Sequence, residues 1–279
     1  MKGFALGQFY PANSIMHRLD PRVKVLSAVA YIVASFLCSN FFAFMLLLLS
    51  AVTLILVSKI PLKIVFRSVS ALVFIMAFTA VLNIFWYVPT TETPPLFEWQ
   101  FITIYTGGLY NALFILLRIT SMVIGTSIFL TYTTSPIALT DAIETLLRPL
   151  AKIKVPVHEF AMMMTIALRF IPTIVEETDK IMSAQKARGA DFTTGSLVSR
   201  AKALIPVIIP LFASAFRRAG ELATAMECRC YHGGEGRTKF RVLKFHARDI
   251  LALFVPALFI TAVVLINYFG GQMGWDYSM

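Results

Sequence analysis

The sequence predicts an all-α membrane protein, with five transmembrane helices and a cytoplasmic module of about three long amphipathic helices. Three observations predict it. The chain is 58% hydrophobic and only 14% charged, with a mean hydropathy of +0.75, whereas a soluble domain carries about 25% charged residues. Four regions are apolar over about the 20 residues that a helix needs to span a bilayer: Val25–Ser58, Val69–Val88, Gly108–Tyr132 and Ile250–Phe269. The basic residues, finally, gather in clusters that five spans place on one face.

The elements follow in order. Val25–Ser58 is too long for one helix and is broken by the polar pair Ser39-Asn40, so it reads as a tight pair, Val25–Cys38 and Phe41–Ser58. Val69–Val88, Gly108–Tyr132 and Ile250–Phe269 each read as one span, giving five. Met1–Asp20 has no apolar run ahead of a small-residue cleavage site and does not read as a secretory signal.

The net charge of +10 raises nucleic acid as a partner, but its distribution points elsewhere. Ser39-Asn40, the Val88–Gly107 loop and the tail Asn267–Met279 hold no Lys or Arg. Lys2, Arg18, Arg22 and Lys24 precede the first span, and Lys59, Lys63 and Arg67 lie between the second and third. The remaining seventeen, Arg118 aside, fall between Arg148 and Arg248. The positive-inside rule makes the face they share cytoplasmic. The reading is a multi-pass protein of the cell membrane, N-terminus inside and C-terminus outside, with membrane lipids and no nucleic acid as partners.

Three segments organise the chain: 1–132 with four spans, 133–247 as a cytoplasmic module, and 248–279 with the fifth span and an extracellular tail. In the module, Pro136–Leu150 reads as an amphipathic helix opened by Pro136. Val157–Arg188 reads as a longer helix that Pro172 should kink. Gly189 supplies a residue able to turn left-handed at its end. A third helix covers about Ser199–Cys230. Its apolar run Ala203–Phe216 is about fourteen residues, contains Pro206 and Pro210, and has Arg200, Lys202, Arg217 and Arg218 at its two ends. Spanning would force one of those basic pairs outward, so this helix is expected to lie along the membrane base or on the other helices.

The second and third of these helices end alike. Ala187-Arg188-Gly189 and Cys228-Arg229-Cys230 each set one arginine between two small residues, and Ala184 and Ala225 stand three residues ahead. Small flanks leave a long cation free to enter an acidic groove on a partner, and arginine stays charged and forks onto carboxylates. Helix-end electrostatics alone would be worth about 0.3–1 kcal/mol and would accept any cation.

Three stretches in order resemble one family. Ser14-Ile15-Met16-His17-Arg18-Leu19-Asp20-Pro21-Arg22-Val23-Lys24 is similar to the N-terminal signature of the transmembrane T component of energy-coupling factor transporters (the EcfT/CbiQ family). Ala167-Leu168-Arg169-Phe170-Ile171-Pro172, continuing to Ala187-Arg188-Gly189-Ala190-Asp191, resembles the central segment. Phe216-Arg217-Arg218-Ala219 through Cys228-Arg229-Cys230-Tyr231 resembles the second coupling segment.

The resemblance implies a scaffold in an ATP-driven importer of a vitamin or a metal ion; the absence of a metal-ligand set in the sequence favours the vitamin class, and no cofactor is expected. The scaffold would grip two cytoplasmic ABC-type ATPases through coupling helices and contact a substrate-binding membrane S component. It implies coupling roles for Ala187, Arg188, Gly189, Cys228, Arg229 and Cys230. The family's second motif is Ala-Arg-Gly-like, so Cys230 stands where that pattern has glycine.

Other candidates weigh less. Cys228, Cys230 and His232 lack zinc-site spacing and a fourth ligand nearby, so no metal is expected. With Cys38 they make an odd set of three, against a disulfide framework. Arg118 lies near mid-span in the fourth span, where a charge must find protein or water. It either contacts the S component or pairs with carbonyls and hydroxyls such as those of Thr120 and Ser121.

His17 to Arg22 reads as an Asp-Pro-Arg helix start with snorkelling cations rather than a catalytic loop. No GxxxxGK[ST] phosphate loop occurs, so the chain is expected not to hydrolyse nucleotide itself. A self-sufficient permease would need polar residues spread over several spans. An enzyme of lipid-linked substrates would need an acidic or histidine cluster, and Asp20, Asp141, Glu144, Glu176, Glu177 and Asp179 are dispersed and fit helix-surface pairing.

Overall fold

The computed structural model describes residues 9–86, 97–99, 102–192, 194, 196–233 and 245–272. They fall into two compact units, one drawn from Gly7–Ala142 and Leu243–Met279, the other from Ile143–Val242.

The first unit begins with a 3-10 turn, Met16–Arg18, and α1, Pro21–Leu37. Pro21 opens α1, and Asp20 caps it by accepting the Arg22 amide at 2.8 Å, since the first N–H groups of a helix have no partner within it. The turn Cys38–Asn40 leads into α2, Phe41–Ser58, which ends on Lys59 in the left-handed region (φ 55°). Then come α3, Leu62–Ser70, and α4, Val73–Phe85, bent by 55°. A short antiparallel ladder pairs Phe97–Trp99 with Ile102–Ile104, Phe97 opposite Ile104. The next helix, α5, Thr106–Thr126, runs on as a π-helical turn, Ser127–Tyr132. The last, α9, Ala247–Gln272, contains Pro256.

The bend between α3 and α4 divides the expected span Val69–Val88. The two helices differ in character: α3 carries Lys63 and Arg67 four apart, while Val73–Phe85 is almost entirely apolar. By length and hydropathy, α2, α5 with its π turn, α7 (Val157–Ala187), α8 (Leu197–Glu227) and α9 could each cross a membrane, and α3 with α4 adds a sixth as one broken span. The hydropathies of α7 and α8, 1.2 and 1.5, are below the 2.1 to 2.6 of the other three.

The core of the first unit joins α1, α2, α5 and α9 around Tyr31, Phe44, Leu47, Phe114, Phe129 and Val263. Small residues let these helices approach: Ala28, Ala34, Ala43 and Ala51 are buried. At Gly125 an added Cβ would lie 2.3 Å from the Tyr31 ring, so the α1–α5 contact depends on a missing side chain. Elsewhere large apolar side chains face outward, Phe74 at 82% and Leu258 at 74% exposure among them, as a lipid-facing surface does.

The second unit takes the end of α6, Pro136–Leu147, a 3-10 segment Arg148–Ile153, and the two 31-residue helices α7 and α8. Pro172 lies inside α7 and Pro206 and Pro210 inside α8, and both helices run past them. Arg218 of α8 pairs with Glu177 of α7 at 2.8 Å. Beside this pair a largely apolar cavity of about 280 Å³ separates Ile166, Phe170 and Ile174 from Ala219, Leu222 and Met226. His158 at the start of α7 pairs with Glu144 of α6 at 3.0 Å.

Candidate functional site

Both small-Arg-small triplets lie at helix ends, and the two ends have the same backbone. In α7 the Gly189 amide donates to the Lys186 carbonyl at 3.0 Å and the Ala190 amide to Gln185 at 3.0 Å. In α8 the Cys230 amide donates to Glu227 at 2.8 Å and the Tyr231 amide to Met226 at 3.1 Å. These are the crossed bonds of a Schellman motif, which satisfies the last carbonyls of a helix by turning the chain left-handed. Arg188 and Arg229 therefore hold the same place, the last residue before the left-handed one. Gly189 (φ 90°) and Cys230 (φ 55°) provide that residue.

The triplets are exposed: Ala187, Arg188, Gly189, Cys228, Arg229 and Cys230 all face solvent. Among the described residues no carboxylate pairs with either guanidinium. The thiols of Cys228 and Cys230 are free, and His232 turns its Nδ1 to the Cys230 carbonyl at 2.8 Å. The arrangement offers two separate cations, each at the negative end of a helix dipole, without a carboxylate partner among the described residues.

Sequence reasoning missed a second polar constellation, in the first unit. From the sequence, Asp20 belongs to a helix start and Lys24 is one of the basic residues ahead of the first span. Asp20 does cap α1, but Lys24 is only 2% exposed and donates to the Thr133 carbonyl at 2.8 Å. Asp249, 1% exposed, accepts the Asp20 amide and the His246 amide, both at 2.9 Å. The Tyr10 amide donates to the Tyr132 carbonyl at 3.0 Å. The N-terminal segment thus ties to the end of the π-helical turn, at Tyr132 and Thr133, and to the start of α9 at Asp249. Asp249, one residue ahead of the apolar run, was the available signal.

Arg118 is placed by α5 at the end of α1. Its Nη2 donates to the Cys38 carbonyl at 2.7 Å, and its guanidinium lies 5.3 Å from the centre of the Phe44 ring. Asn267 of α9 donates to the neighbouring Leu37 carbonyl. Asn40, 1% exposed, sits against Gly270, where an added Cβ would fall 2.1 Å from Asn40 Nδ2. With 17 residues α1 is the short member of its pair, and Arg118 and Asn267 occupy carbonyls at its C-terminus.

Comparison with known proteins fits this geometry. Residues 12–240 match the family model described as CbiQ, cobalt transport protein. An energy-coupling factor transporter transmembrane protein EcfT of Clostridium kluyveri is 47% identical over 98% of this chain and 100% of its own. The protein of that name from Bacillus subtilis is 45% identical over 92% of this chain and 97% of its own. The chain belongs to the CbiQ/EcfT family. As an EcfT-type protein it is the transmembrane component of an energy-coupling factor transporter, a transport subunit of a membrane complex. The N-terminal signature of this EcfT-type chain forms the buried tie, and its two segments with small-Arg-small triplets end in the matching Schellman turns.

Proposed function

We propose that this chain couples ATP hydrolysis in two ABC-type ATPases to a substrate-binding S component, and that Arg188 and Arg229 are its two contacts with the ATPases. The observation that carries the reading is the identity of the two helix ends: same crossed bonds, same arginine position, both cations exposed and unpaired among the described residues. Two equivalent plugs call for two equivalent acidic sockets, as a pair of like ATPases would offer. Closure of the ATPases would move the sockets, and α7 and α8, joined by Arg218 and Glu177, would carry the motion toward the S component.

In this reading α1, α2, α4 as the span that α3 leads into, α5 and α9 cross the membrane, and residues 133–247 form the cytoplasmic module. The lower hydropathy of α7 and α8 and their flanking basic residues support leaving them out of the bilayer. The N-terminus is then inside and the C-terminus outside. A vitamin-class substrate, held by the S component, goes with the reading. Arg118, with its internal partners, serves the S component through the turn it holds rather than by direct contact.

The test is co-purification. Arg188→Glu together with Arg229→Glu is expected to abolish retention of both ATPases, while the chain still inserts in the membrane at normal yield. Retention of both by the double variant would overturn the assignment.

A further inference from the structure

The face of α3 that points away from the protein is divided in a way that neither the coupling role nor the lipid-facing helices account for. At about 100° per residue, α3 has three sectors. Ile64, Val65, Ser68 and Val69 turn inward; Val65 packs with Ile60, Ile128 and Tyr132, and Ser68 bonds the Tyr132 hydroxyl. Leu62 and Phe66 form a second sector, 58% and 68% exposed. Lys63 and Arg67 form a third beside it, both exposed, with Lys59 exposed just ahead of the helix. Among the described residues no carboxylate pairs with these three cations.

A helix wholly within hydrocarbon would not carry the third sector, and one wholly in water would not leave the second uncovered. Both are served where acyl chains meet headgroups, the setting of an amphipathic helix lying in the interface. The 55° bend from α4 gives α3 a direction of its own, and the left-handed Lys59 ends α2 just before it. We propose that α3 is an interfacial docking surface for acidic phospholipid: Leu62 and Phe66 enter the acyl layer while Lys59, Lys63 and Arg67 hold the phosphate groups of one or more anionic lipids. Charge complementarity selects this occupant, because three unpaired cations beside an apolar strip match an anionic headgroup above its own acyl chains. Assignment to the cytoplasmic leaflet rests on the orientation proposed above; the lipid site itself does not.

The test reconstitutes the full chain into nanodiscs of phosphatidylcholine and phosphatidylglycerol and measures the ratio of the two lipids retained on extraction. Wild type is expected to retain excess phosphatidylglycerol, and raised salt to reduce that excess. Lys59→Gln, Lys63→Gln and Arg67→Gln together should lower it by about fivefold for each cation that contacts a headgroup. The matched control, Arg148→Gln with Lys152→Gln and Lys154→Gln in the other unit, should lower it less. An excess untouched by the α3 triple, or lowered equally by the control, overturns the proposal and leaves the face to a protein partner. Because no ATPase is present, failure here is separate from failure of the coupling reading.

Discussion

Gly189 and Cys230 occupy the same left-handed position past the ends of α7 and α8, at φ 90° and 55°, and only one of them is a glycine. An L-residue in this region pays about 1–2 kcal/mol that glycine does not. The bonds around Cys230 are nevertheless complete, so the second turn keeps the shape of the first at reduced local stability. Cys230→Gly should slow amide exchange at Tyr231 by about fivefold, the equivalent of about 1 kcal/mol, and leave ATPase retention intact. Gly189→Val should have the opposite effect at Ala190, although nothing lies within 4 Å of its added Cβ. Equal exchange in all these variants would show that backbone strain does not distinguish the two ends.

Lys24 gives a prediction about stability. It is buried, donates to Thr133, and lies in the field of Asp20 and Asp249. Replacing it by methionine keeps much of the volume but leaves the Thr133 carbonyl without its donor and takes a cation from beside Asp20 and Asp249, which keep Arg22 and His246 at 3.6 Å, a loss of about 1–3 kcal/mol. Lys24→Met should therefore lower the unfolding temperature of the purified chain well below that of Lys63→Met, an exposed change worth within about 0.5 kcal/mol. The expectation fails if the two substitutions shift the midpoint alike.

The contrast between these lysines shows what the residues reveal before folding. Apolar length located α2, α5 and α9, and a glycine after a basic stretch located the end of α7, because each is a local property. The partners of Lys24 and Arg118 come from elements far apart in sequence, so no spacing rule pointed to Thr133 or Cys38. The α3–α4 bend is partly legible: Lys63 and Arg67 mark the topology, but nine residues with their four-residue spacing beside Leu62 and Phe66 are too few to declare a separate helix by period alone. Cys230 was visible as a departure from the family pattern. Its left-handed backbone was not, since cysteine rarely adopts it.

Arg118 can be tested through the carbonyl it holds. Arg118→Leu leaves the buried Cys38 carbonyl without its donor, a cost of about 1–3 kcal/mol, and removes the cation above the Phe44 ring. The end of α1 should then open more often, and Cys38, 1% exposed in the intact chain, should react with a small maleimide. The measurement needs Cys228→Ser and Cys230→Ser to silence the two exposed thiols. Arg118→Lys should fall between, since one ammonium can reach the carbonyl without matching the planar contact on the ring. If Arg118→Leu keeps Cys38 protected and both ATPases bound, yet abolishes transport, the residue acts directly on the S component, and the positioning role assigned to it fails.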